Sequence, residues 1–117
     1  MRAPSPYHST PDLVVRALIE ARRLIGSPDR WCRGCLRDSE NRMCMEGALR
    51  AATAGDPATL QDCLRILRLM LGIPRDRIRA LFDWNDLPSR RHADVIQVLD
   101  QAAERAEWIM CPNEVPA

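Results

Sequence analysis

Five cysteines, two histidines and a set of arginines are the side chains of this 117-residue chain that could do chemistry. Cys44 stands where a hydrophobic helical pattern begins. A helix N-terminus lowers a thiol's pKa, and the thiolate is the nucleophile. His92 and Asp86 could serve Cys44 as base and orienter, the arrangement of a cysteine-dependent enzyme. That arrangement requires the start of the last helix to lie beside the start of the second. No local signature of a cysteine enzyme accompanies Cys44, so the favoured expectation is a buried thiol packing as a small apolar group.

The cysteines could also hold a metal. Cys32-x-x-Cys35 and Cys44 supply three thiolates, and a zinc site needs a fourth ligand, which Cys63, Cys111, His92 or His8 would have to provide. A single C-x-x-C pair is a weak signal, and the chain lacks the βαβ pattern of a thioredoxin. The expectation is therefore no cofactor, with zinc as the alternative and a zinc-stabilised nucleic-acid module as the function it would imply.

Trp84-Asn85-Asp86-Leu87-Pro88 interrupts the hydrophobic periodicity. Asn and Asp side chains bond nearby backbone and hold sharp corners, so these residues read first as a turn between two helices. The functional reading is that Asp86 and Arg90 line a polar site there. A binding surface can then be drawn from the segment around Trp31 and this corner. Trp31 and Trp84, where exposed, would be anchors, with Arg33, Asn85, Asp86 and Arg90 giving specificity.

All 17 basic residues are Arg, against 16 acidic residues and a net charge of +1. Arg65, Arg68, Arg75, Arg77 and Arg79, with Arg90 and Arg91, could form a basic face for nucleic acid, and a helix-turn-helix over residues 57–82 is conceivable. Asp62, Asp76 and Asp83 are interleaved with them, so a solvated charged face is expected and nucleic acid is not the expected partner. The sequence contains no Gly-rich phosphate loop, serine elbow or paired His-Glu metal motif.

The elements that must position these residues read as helices. Aromatics are only 4% of the chain, so Leu, Ile, Val and Ala must build the core, which favours packed helices. Thr10 caps a first helix with Pro11 at its first position, and Leu13, Val14, Ala17, Leu18, Ala21, Leu24 and Ile25 recur on one face. Arg16 and Glu20 are spaced to pair outside. Residues 28–43 form an irregular arm or a short β-ribbon turning near Ser39 to Asn41. A second helix starts near Cys44. Asp56 and Pro57 open a third that Gly72 closes, and a short fourth after Pro74 is expected to bury Ile78, Leu81 and Phe82. The last runs from about Arg91 to Met110, and its wide apolar face places it at the centre or at a homodimer contact. The fold class is all-α: a compact single-domain bundle of about five helices over residues 10–110, with a disordered segment 1–9 and a tail 111–117. The first ten residues lack an apolar run and no stretch is long enough to span a bilayer, so the expected location is the cytoplasm. Disulfides are not expected there.

Trp31-Cys32-Arg33-Gly34, Cys44-Met45-Glu46-Gly47-Ala48 and Trp84-Asn85-Asp86-Leu87-Pro88-Ser89-Arg90, with His92-Ala93-Asp94-Val95 after them, resemble a domain-of-unknown-function family of short actinobacterial, rhizobial and phage proteins. Its pattern reads W-C-x-G, C-x-x-G-A and W-N-D-x-P-x-R. The resemblance covers most of the chain and implies a compact helical domain with no settled activity. Ser89-Arg90-Arg91 stands where the family often has Gly-Arg-Thr, which leaves Ser89 to cap the last helix. The arm between Gly34 and Cys44 is shorter than in many relatives, and the position of Cys35 is usually not Cys. The reading is a non-enzymatic binding or regulatory protein with a protein partner, and the resemblance to a family with phage members extends it, by analogy alone, to a phage-linked role in host takeover or anti-defence.

Overall fold

A computed structural model describes residues 5–77 and 79–112. Ile78, residues 1–4 of the N-terminal segment and residues 113–117 of the tail lie outside them. The order is α1 (Pro11–Leu24), a single 3-10 turn at Pro28–Arg30, α2 (Met45–Ala52), α3 (Pro57–Leu71), α4 (Ala80–Asp86) and α5 (His92–Met110). The fold is an all-α bundle.

Local chemistry sets most of the helix ends. Thr10 Oγ1 accepts from Leu13 N and Pro11 opens α1. Asp56 accepts from Thr59 N at 3.1 Å, Pro57 follows, and Gly72 closes α3 at φ 67°. At α5 the cap differs from expectation. Arg91, not Ser89, is the capping residue, and the Asp94 carboxylate reaches back to accept from Arg91 N at 2.9 Å.

Val14, Ala17, Leu18, Ala21 and Ile25 of the α1 segment are buried, with Ala48 and Leu49 of α2, Cys63, Leu64, Ile66 and Leu67 of α3, and Val95, Leu99, Ala102 and Ala106 of α5. The small residues of α2 let it approach closely. The expected centre moves: α1 packs on α2, α3 and α5, and α3 on α1, α2, α4 and α5, so these two hold the middle of the bundle, while α5 packs on α1 and α3. Arg22 Nε bonds Asp100 at 3.0 Å and ties α1 to α5. Glu20 pairs with Arg23 instead of Arg16. No helix among the described residues is long and apolar enough to cross a membrane.

The arm is irregular, as expected, and not a β-ribbon. Among the described residues the extended pairing consists of two isolated bridges, Trp31 to Met43 and Arg37 to Met43. Both flanks of the arm thus converge on one residue. The turn between them is made by Asp38, whose carboxylate accepts from Glu40 N, Arg42 N and Arg42 Nε, with Asn41 at φ 64°.

Asp62 departs most from its sequence reading. It is fully buried on α3 and not on a solvated face. Its carboxylate accepts from His8 N at 3.0 Å, and from Ser9 N at 2.7 Å and Ser9 Oγ at 2.6 Å. Residues 8 and 9 are thereby strapped across α3, with Arg65 over the Tyr7 ring. Three donors, the His8 N–H shared between both oxygens and the Ser9 amide and hydroxyl, replace the water this carboxylate has lost, which is the condition for burying it.

Candidate functional site

The site is the junction where the arm meets α4. The Trp84-Asn85-Asp86 segment is not a turn. It forms the last turn of α4, which ends before Pro88, where the residue ahead of a proline leaves the helical region. This places Asn85 on the inner face, fully buried.

Every hydrogen-bonding position of the Asn85 amide is used. Its Oδ1 accepts from Trp31 Nε1 at 2.7 Å and from Met45 N at 3.1 Å. Its Nδ2 donates to the Cys32 carbonyl at 3.1 Å and to Asp86 Oδ1 at 3.0 Å. A primary amide offers two acceptor and two donor positions, so this one is saturated. Asp86 Oδ1 also accepts from Gly34 N at 3.0 Å. Gly34 sits at φ 85°, a conformation that favours glycine. One asparagine therefore joins the arm, the start of α2 and the end of α4.

Trp31 is buried and is not an exposed anchor. Its ring is the platform for Arg33, whose guanidinium lies 4.5 Å from the ring centroid. Arg90 lies over Trp84 at 3.8 Å and donates from Nε to the Trp84 carbonyl at 2.9 Å. Arg33 donates to the Arg90 carbonyl, joining the two stacks. Trp84 is half-buried and Arg33 exposed. Leu36 and Leu87, beside these segments in the chain, are exposed.

Gly47 explains the second motif. A Cβ placed there would stand 1.9 Å from the Leu36 carbonyl oxygen, so the arm lies directly on the α2 backbone. Cys44 caps α2, its Sγ accepting from Gly47 N at 3.3 Å.

The cysteine, histidine and carboxylate of the enzyme reading do not form a relay. Cys44 is fully buried, and burial pushes its thiol up against the lowering pull of the Gly47 and Glu46 amides. His92 Nε2 donates to the Ile25 carbonyl at 2.6 Å, with its ring 6.1 Å from Trp31, and lines an open cleft of about 420 Å³ beside Gly26, Ile96 and Asp100. Asp86 faces Gly34 and Asn85. Cys32 and Cys35 lie together, Sγ to Sγ 3.9 Å, and among the described residues no group of three His, Cys, Asp or Glu side chains is placed to hold a metal. Cys63 is buried against Val14, its thiol pushed up to about 12 by burial and by Asp62 and Asp56.

The three segments that carry the family resemblance therefore meet in one network. A family model described as a family of unknown function, DUF6197, matches residues 9–105. The chain belongs to this family. In this DUF6197 member the matched span takes in α1, the arm, the Asn85 network and most of α5. No curated protein and no solved structure matches the chain.

Sequence reasoning missed Met45, which contributes only its backbone N–H to the Asn85 network, a role no side-chain pattern reveals.

Proposed function

We propose that this DUF6197 member is a non-enzymatic binding or regulatory protein whose contact surface is the Arg33–Arg90 corner, and that its partner presents an acidic protein segment there. The observation that carries this is the pair of guanidinium groups laid on indole rings and linked to each other through the Arg90 carbonyl. A guanidinium forks onto a carboxylate through two donors. Stacking removes much of the side-chain freedom that binding would otherwise cost. Arg90 keeps both terminal nitrogens without a hydrogen bond among the described residues. Asp86, the carboxylate in the corner, is engaged by Gly34 and Asn85. Leu36 and Leu87 offer apolar contact beside the charges. Arg91 is held by Asp94 and contributes less.

The test is binding of a fluorescein-labelled Glu-rich peptide at low salt, followed by anisotropy. R33Q and R90Q should each weaken it about tenfold, the loss of one charged hydrogen-bonded contact, with the fold retained by circular dichroism. R105Q, an exposed arginine on α5, should leave it unchanged. Equal losses in all three variants would mean undirected charge attraction and would defeat the reading.

A further inference from the structure

We infer that Cys32 and Cys35 form a reversible dithiol–disulfide site, oxidised by small-molecule disulfides of the glutathione class. Their sulfurs lie 3.9 Å apart as free thiols. A disulfide needs about 2.05 Å, so closure takes a movement of about 2 Å. The fold supplies the rest of the geometry. Gly34 makes the turn between them at φ 85°. Trp31 and Arg37, just outside the pair, both bridge Met43, and Cys32 N donates to the Met43 carbonyl at 3.1 Å. Asn85 and Asp86 fasten Cys32 O and Gly34 N to α4. The pair is half-buried, within reach of a small disulfide.

Cys35 is the entering thiol. Cys32 donates to the Arg42 carbonyl at 3.3 Å, and burial, with Cys35 beside it, pushes its thiol up to about 12. The Cys35 thiolate attacks one sulfur of the external disulfide, forming a mixed disulfide and expelling one thiolate. Cys32 then gives its proton to solvent and attacks the Cys35 sulfur, expelling the second thiolate. The pair loses two electrons and two protons, and the external disulfide is reduced to two thiols. The ring that closes contains Arg33 and Gly34. Oxidation also takes the Cys32 thiol off the Arg42 carbonyl, so it acts on the loop that presents Arg33. That consequence alone rests on the acidic-partner reading; the redox site does not.

The full-length protein is equilibrated across a series of reduced and oxidised glutathione ratios, quenched with an alkylating agent and measured by intact and peptide mass spectrometry. The native chain should lose two hydrogens and protect Cys32 and Cys35 alone. Its equilibrium constant for oxidation should exceed that of the urea-unfolded chain at least tenfold, because the fold holds the sulfurs together. C32S should stop at a glutathione adduct on Cys35, and C35S should form no protected pair. A folded chain that oxidises no more readily than the unfolded one, or that protects a different pair, overturns the inference. If the disulfide forms but Glu-rich peptide binding is absent in both redox states, the redox site stands and the partner reading fails.

Discussion

Replacing Asn85 with alanine should be among the most damaging single changes in the arm–α4 junction. The substitution strips the acceptor from two donors, Trp31 Nε1 and Met45 N, both on buried residues. A buried donor left without a partner costs roughly 1–3 kcal/mol, so N85A should lose about 4 kcal/mol. The Cys32 carbonyl and Asp86 sit nearer solvent and can turn to water, so they add little. For a chain of this length about 4 kcal/mol corresponds to a fall in Tm of about 15 °C. Urea unfolding followed by far-UV circular dichroism measures it. N85D sharpens the test. It keeps an acceptor for Trp31 and Met45 but sets a carboxylate in a buried position against Asp86. Burial and like charge raise the pKa of the new carboxyl in the folded state above its unfolded value. The folded state then binds more protons, so stability is retained below about pH 4 and falls as pH rises above it. A loss under about 1 kcal/mol in N85A, or an N85D stability that does not fall with rising pH, would refute the saturated-amide account.

Three further outcomes follow from the same contacts. G47A should cost about 3 kcal/mol or more in urea titration, because its methyl meets the Leu36 carbonyl backbone; G55A, with open space at φ 81°, should lose only the smaller cost of left-handed alanine, about 1–2 kcal/mol. D62A should free the 8–9 strap, cost about 2–3 kcal/mol and speed amide hydrogen exchange at His8 and Ser9, leaving exchange in α5 to follow global stability. Asp56 is held below the usual carboxylate range by the Thr59 hydroxyl and amide, so its folded pKa is depressed. Its contribution is present above the unfolded carboxylate pKa and lost as pH falls through the lower folded value. The stability of D56N should therefore fall less steeply than that of the parent chain below about pH 4.

The parts of this fold legible in sequence are those fixed by neighbours along the chain. Thr10-Pro11 and Asp56-Pro57 mark helix starts because a side-chain oxygen and a missing N–H act within one turn. The helical period of Val14, Ala17, Leu18 and Ala21 marks a core face for the same reason. The rest depends on partners far apart in sequence. Asn85 and Trp31 are 54 positions apart, as are Asp62 and His8. An Asn-Asp pair before Pro reads locally as a turn, and only the buried indole and the Met45 amide explain why it lies inside a helix end instead. Asp62 reads as a surface charge among arginines until the strap that buries it is known. The segments around Trp31, Gly47 and Asn85 were legible as a set through the family resemblance, whereas their joint role in seating the arm was not. Cys44 was correctly placed at a helix start, but burial outweighs the helix-end effect that would have made it reactive.

The central claim is that the arm and α4 together present Arg33 and Arg90 as a pre-set pair of carboxylate receptors. The most direct measurement is an NMR titration of arginine Nε–Hε resonances with the Glu-rich peptide. The account predicts that the Arg33 and Arg90 signals shift first and saturate together, with Arg105 and Arg50 unmoved. Uniform small shifts across the surface arginines, or saturation elsewhere with Arg33 and Arg90 unmoved, would contradict it.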